Sequence, residues 1–391
     1  MSRAVSSPWP CFSEEEADAV RAVLLSNAVN QWTGSGVAEF ERAFAELIDV
    51  PHAIALSNGT AALEIALQAV GIGAGDEVIV TPRSFMASGS AVVRCGGVPI
   101  FADVDPDSQL ITPASIAPLL TPRTKAIVCV HLAGWPCDMD GIRELVGDRR
   151  IALIEDCAQA HGARYKGRPV GGLGDVAAWS FCQDKIMSTG GEGGMLTTAD
   201  ESLFRLMWSL KDHGKDFTAV HESVHPAGFR WLHERIGTNA RMTAMQAVIG
   251  TIQVRRLPEW HRIRSANASR ILNAARSCEV LRVPTPGNEI EHAWYKAYVF
   301  VRPDRLAPDW SRDRIMTEIA AAGVPCFSGS CPEMYLEKAF VDLGLGPEAP
   351  LPVAHALGET SLMFLVHPTL TAAELDYSCE VLARVCGQAA R

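Results

Sequence analysis

Four short stretches end on residues that could do chemistry together. In "LIEDCAQAHG" an apolar run stops at Glu155-Asp156, with Gln159 one turn on. An acid at the tip of an inner strand is costly unless a cation or a donor meets it. In "WSFCQDKIMSTGGEGGML", Trp179 to Leu196, Ser180 lies inside an apolar run and Lys185 just beyond it. The "GGEGG" that follows supplies backbone freedom close to a ligand. "LSNGTAALEIAL" reads as strand, turn and helix. The backbone amides at that helix start, near Gly59, and the Thr60 hydroxyl could hold an anion; equally, Ser57 or Asn58 could simply cap the helix. "TPRSFMAS" places Phe85 after a strand-ending Thr-Pro, either as a core residue or as a flat platform.

An anion cradle, a carboxylate, an aromatic face and an amine are what pyridoxal 5′-phosphate requires. Lysine condenses with the aldehyde. The carboxylate keeps the pyridine nitrogen protonated, so the ring accepts the electrons left when an α-proton departs. The aromatic residue stacks on the ring and the helix start holds the phosphate.

These residues need a scaffold, and the region from about 52 to 200 describes one. "AIALS", "EVIVTP", "VPIFADV", "KAIVCVHL", "IALIED", "DVAAWSF" and "GGMLTT" are short apolar runs bounded by Gly, Pro, Asp or Ser. Helical patterns separate them; in "NGTAALEIALQAV", Leu63, Ala66, Leu67 and Val70 share a face. Uninterrupted apolar strands between helices indicate an α/β fold with a mainly parallel sheet covered on both faces. Ligands of such sheets bind beyond the carboxyl ends of the strands, where the polar residues lie. Near residue 240 the pattern changes. "NARMTAMQAVIGTIQVRRL" reads as a long helix, with Thr243 and Gln246 as a capping box and Met245, Val248, Ile249 and Ile252 as its stripe. It leads into a smaller α/β domain that ends in "TAAELDYSCEVLARVCG". The division is a large domain, 1–255, with an N-terminal helical arm, and a small domain, 256–391.

Composition narrows the alternatives. The chain has 391 residues, 48% of them hydrophobic, and a net charge of −10 without a basic block. General nucleic-acid binding, which needs clustered Lys and Arg, is not expected. No apolar run is long enough to span a bilayer, and the N-terminus lacks a signal-type core, so a cytoplasmic location is the expectation. The eleven cysteines form no CxxC pair, and the eleven histidines form no HxxxH pattern on a helix, since His221 and His225 fall in a polar, irregular segment. Free thiols, and no metal, are expected. A nicotinamide enzyme would carry GxGxxG after the first strand, which "SNGTAAL" does not supply.

The same stretches, with "WTGSGVAEFERAFAE", "GGVPIFADVDPDS", "TPRTKAIVCVHLAGWPCDMD" and "GTNARMTAMQAVIG", resemble the PLP-dependent sugar aminotransferases of the DegT/StrS type over residues 30 to 260. The C-terminal part matches chiefly through "AAGVPC" and "HPTLTAAELD". The resemblance implies fold type I architecture, with a seven-stranded sheet in the large domain. It makes Lys185 the Schiff-base lysine, Asp156 the partner of the pyridine nitrogen and Phe85 the stacking residue. Gln159 sits beside the ring, and Gly59, Thr60 and Ser180 contact the phosphate. Asn239 and Arg241 correspond to a segment that reaches the neighbouring subunit's phosphate, which implies a homodimer with shared sites. The family more often has an aromatic where Thr238 or Ala240 stands, so the assignment between Asn239 and Arg241 stays open. The implied reaction moves an amino group from glutamate or glutamine to a nucleotide-linked keto-sugar, for surface polysaccharide or a glycosylated metabolite. One branch replaces the lysine by histidine and dehydrates instead; lysine here favours transamination. Amination of a keto-cyclitol, sugar dehydration and a non-catalytic sensory PLP-binding role are the alternatives.

Overall fold

The computed structural model describes residues 4–391. Seven strands form the main sheet: β1 (His52–Leu56), β2 (Glu77–Val80), β3 (Val98–Phe101), β4 (Thr124–Val130), β5 (Ala152–Asp156), β6 (Val176–Ser180) and β7 (Gly194–Thr198). Their spatial order is β1-β7-β6-β5-β4-β2-β3. The pairs β2–β3, β2–β4, β4–β5 and β5–β6 are parallel, while β7 runs against both its neighbours. Successive residues of a strand face opposite ways, and two cores record this. Ile127, Leu153, Ala177 and Trp179 join one core, in which Phe40 and Phe44 of helix Gly36–Ile48 also pack. Val128, Ile154, Ala178 and Leu196 join the other, with Leu63, Ala66 and Leu67 of helix Gly59–Ala69. Burial on both faces is why the strands read as unbroken apolar runs.

Helix Ala244–Arg276 starts at the expected Thr243–Gln246 capping box. Its stripe differs from the expected one. Ile249 and Ile252 are buried, but Ala247, Gly250 and Gln253 are buried beside them, while Met245 and Val248 are only half-buried. Gly250 explains the shift: a Cβ there would lie 2.4 Å from the Phe40 ring, so the backbone itself packs on the neighbouring helix. The helix also continues through Pro258. Proline removes one helical donor, and the C-terminal half is held by Ala268, Ile271, Leu272 and Ala275 in the core of the second sheet. The 255/256 division therefore falls inside one continuous helix.

The second sheet comprises β8 (Leu281–Arg282), β9 (Ala297–Val301), β10 (Cys326–Phe327) and β11 (Ser361–Phe364), in the order β8-β9-β11-β10. The closing helix, Ala372–Ala389, covers it. The N-terminal segment crosses to this unit: the Val5 amide donates to the Gly323 carbonyl at 2.9 Å. Among the described residues no helix is long and apolar enough to cross a membrane.

Candidate active site

A cavity of about 1070 Å³ opens where β4, β5 and β6 end, between the main sheet and the second sheet. Gly59, Thr60, Phe85, Asp156, Gln159, Ser180 and Lys185 all line it.

At one end, helix Gly59–Ala69 starts against the tip of β6. A Cβ at Gly59 would lie 2.7 Å from the Ser180 Cβ, so only glycine lets the helix start come this close. Asn58 is the N-cap, and its side chain accepts from the Ala61 amide at 2.9 Å. Capping and anion holding are thus compatible. The cap serves the third amide, and the earlier amides of Gly59 and Thr60 have no carbonyl partner within the helix.

Asp156 ends β5 and is 5% exposed. Its Oδ2 accepts from the Ser88 hydroxyl at 2.8 Å and its Oδ1 from the Ala158 amide at 3.2 Å. Gln159 is buried, and its Oε1 accepts from the Ala133 amide at 2.8 Å. Phe85 is not a core residue. It is 66% exposed at the cavity wall, a flat apolar face without cover.

Lys185 sits in the bend after β6, five residues past Ser180. Its side chain is 12% exposed, with Nζ 4.0 Å from Asp184 Oδ1 and 5.1 Å from the centre of the Tyr295 ring. Burial would raise the Asp184 carboxyl, but the Lys185 charge and a hydrogen bond from the Tyr295 hydroxyl hold it below its ordinary range. The Trp9 indole N–H donates to the Lys185 carbonyl at 2.8 Å and so fixes this bend from the N-terminal segment. Beneath it His161 is buried between Trp179 and Phe181, with neither ring nitrogen partnered. Burial, reinforced by the charges of Lys185 and Arg264, pulls it down to about 3, so it is neutral.

These residues fit pyridoxal 5′-phosphate. The Gly59 cradle with two hydroxyls suits a phosphate, Asp156 has acceptor capacity to spare, Phe85 offers an uncovered ring face, and Lys185 supplies the amine. His131, Glu155 and Cys157 also lie close enough to suggest a metal site, but the His131 and Glu155 atoms are already engaged. Glu155 accepts from the amides of Gly171, Leu173 and Gly174 and pairs with His131, whose other nitrogen accepts from the Cys137 amide.

A model of the DegT/DnrJ/EryC1/StrS aminotransferase family matches residues 10–383. The chain belongs to this family. As a member it is a PLP-dependent sugar aminotransferase of fold type I. It is 59% identical to an aminotransferase from Psychrobacter cryohalolentis, whose X-ray structure superposes with a TM-score of 0.97 over 98% of this chain and 99% of the other. It is 35% identical over 388 residues to the GDP-perosamine synthase of Caulobacter vibrioides, covering 97% of this chain and 98% of that one. NtdA of Bacillus subtilis, solved with bound PMP, is 27% identical with a TM-score of 0.83, covering 96% of this chain and 82% of that one.

Two expected residues of the aminotransferase stand apart. Asn239 is exposed, and Arg241 bonds to Asp212 at 2.5 Å; neither lines the cavity. Conversely, Ser88, Asp184, Tyr295 and Lys296 line it and were not anticipated. Ser88 is one helical turn past Phe85, a spacing that could have drawn attention to it. Tyr295 and Lys296 lie in the bend just before β9, more than a hundred residues from Lys185 in sequence, and only tertiary packing joins them.

Proposed function

We propose that the protein transfers an amino group from L-glutamate or L-glutamine to a nucleotide-linked keto-sugar, as a homodimer with shared sites. The observation that carries this reading is the convergence of Lys185, Asp156, Phe85 and the Gly59–Thr60 helix start on one cavity. When bound, PLP supplies an electron-accepting ring and an aldehyde carbon that relays the amino group.

The chain's own residues do the rest. Asp156, oriented by Ser88 and the Ala158 amide, holds the proton on the pyridine nitrogen. The Gly59 and Thr60 amides, with the Thr60 and Ser180 hydroxyls, hold the phosphate. Phe85 would cover one face of the ring, and Gln159, held by the Ala133 amide, would lie at its edge. Lys185 Nζ takes the α-proton of the donor and returns a proton during the reverse half-reaction. Its bend is fixed by Trp9, so Nζ keeps its aim through both halves.

The nucleotide-sugar acceptor is supported by the GDP-perosamine synthase relative and by a cavity larger than the cofactor and an amino acid need. The shared site is supported by the segment before Asn239. There Val224, Phe229, Trp231 and Ile236 are 79% to 99% exposed, an apolar surface of the kind a second copy covers. All eleven cysteines are free thiols, which suits a reducing cytoplasm.

The test incubates purified enzyme with a panel of nucleotide-linked keto-sugars and each donor. Amino-sugar and keto acid should form in equal amounts. Borohydride reduction of the enzyme should leave a pyridoxyl label on the Lys185 peptide, and a label elsewhere would overturn the assignment.

A further inference from the structure

Beside the main cavity lies a smaller one of about 110 Å³, and the two share Asp184, Tyr295, Lys296 and Leu365. Its far wall includes Arg264 of the long helix and Trp9 of the N-terminal segment. Arg264 is 1% exposed. Its Nε and Nη2 have no partner, and Nη1 makes only long hydrogen bonds, 3.3 and 3.4 Å, to the carbonyls of Trp294 and Tyr295. The Trp9 ring lies 4.8 Å from the guanidinium. Lys296 Nζ sits 4.7 Å from the Tyr295 ring centre, and among the described residues neither Arg264 nor Lys296 has a carboxylate within 4 Å. Asp184 is the one acid in the pocket wall, and it already accepts from Tyr295 and faces Lys185.

A buried guanidinium with two idle nitrogens is an expensive arrangement. Its planar fork matches the two oxygens of a carboxylate. An amino acid donor has to bring such a group beside Lys185 with its amine. Resting on the proposed transamination, we infer that Arg264 and Lys296 form the carboxylate subsite of the amino donor, adjoining Lys185. Two further features agree with this. Burial brings the Lys296 amine down to about 8, with Asp184 opposing and Arg264 and Lys185 assisting, the signature of a cation short of counter-charge. Trp9 closes the pocket from outside and also fixes the Lys185 bend, so donor carboxylate and reacting amine share one support.

The test uses holoenzyme and glutarate, a dicarboxylate with no amine to react. Calorimetric titration should show one glutarate site per subunit in the wild type. Arg264→Gln should weaken it at least about tenfold and raise the donor KM by a similar factor, as loss of a buried charge partner does. The KM for the keto-sugar should stay unchanged, and Arg264→Lys should restore part of the affinity. Should Arg264→Gln fail to fold, Lys296→Gln decides alone, since that side chain is only half-buried. Folded variants that bind glutarate as tightly as the wild type would overturn the inference while leaving transamination intact. A wild type that moves no amino group, yet binds glutarate through Arg264, would instead strike the reaction and leave the subsite standing.

Discussion

At the end of β5 two consecutive carboxylates turn to opposite faces of the sheet. Glu155 enters the core beneath the Gly171–Gly174 turn, and Asp156 enters the cavity that holds Lys185. Burial does not separate them, at 0% and 5% exposure. Saturation does. Glu155 meets three backbone amides and His131, so each oxygen has two partners. Asp156 has one partner per oxygen, Ser88 and Ala158, out of roughly four acceptor positions a carboxylate offers. The fold spends Glu155 on itself and leaves Asp156 with capacity facing a cavity. Two cations repeat the contrast. Fully buried Lys211 bonds to Gln31 at 3.1 Å and lies 3.7 Å from Glu41, while equally buried Arg264 has two idle nitrogens.

The comparison breaks most sharply at Lys185. Lys185→Ala should cut turnover by about 10⁴-fold, since it removes both the attachment point and the proton carrier. Its stability should fall by about 1 kcal/mol at most, because Nζ lies 4.0 Å from a carboxylate that is itself half-exposed. A variant with ordinary turnover, or one that unfolds, would place Lys185 with the saturated groups instead.

Glu155→Ala should do the reverse. Removing the carboxylate strands three buried backbone amides and the His131 N–H, and each buried donor left without a partner costs about 1–3 kcal/mol. Burial alone would raise the Glu155 carboxyl, but His131 and the Gly171 and Gly174 amides hold it below its ordinary value. A depressed carboxyl stabilises the fold above its unfolded value and loses that contribution as pH falls through the folded one. The stability gap between wild type and variant, read by denaturant titration, should therefore narrow in acid. Turnover per folded molecule should change far less than in the Lys185 variant.

Asp156→Asn sits between the two. The amide oxygen can still accept from Ser88, so the fold should tolerate it, while turnover falls by about 10²-fold through loss of the carboxylate. A drop in melting temperature with full turnover would show that Asp156 belongs with Glu155.

The strands were legible in the sequence because burial on both faces produces apolar runs, and their polar ends named Asp156, Ser180 and Lys185 directly. Phe85 was readable only as one of two options, since an aromatic after a strand fits a core as well as a cavity wall. Arg264 was legible in principle: Leu257, Arg264, Ala268 and Ile271 occupy one helical face, and an arginine in an apolar stripe is conspicuous. Pro258 hid it by cutting the helical pattern short. Tyr295 and Lys296 carried no signal, because their meeting with Lys185 depends on how the second sheet packs on the first. Asn239 and Arg241 mark the remaining limit: the resemblance alone pointed to them, and within one chain neither reaches the cavity.

Glu374 tests whether saturation alone sets the cost or whether burial must accompany it. Its Oε1 accepts from the Ser6 and Ser7 amides at 2.9 and 3.0 Å, and its Oε2 from the Ser7 hydroxyl and the Thr371 amide at 2.6 and 2.9 Å. It is as saturated as Glu155 but only half-buried. Partial burial pushes its carboxyl up, yet the donors from Ser7, Thr371 and Ser6 outweigh that and hold it at about 2. Solvent screening keeps the net worth of such a group small, so Glu374→Gln should cost about 1 kcal/mol, one hydrogen bond's worth. The contribution is complete above the ordinary carboxyl value, declines as the pH falls below it and is gone beneath about 2. Urea titrations of both proteins should show the gap at neutral pH and its closure in acid. Because residues 6 and 7 lead to Trp9, the variant should also shift tryptophan emission and weaken the hold on the Lys185 bend. A gap as wide as that of Glu155→Ala would mean that saturation governs without regard to burial, and a gap that persists unchanged in acid would show that the carboxylate charge plays no part.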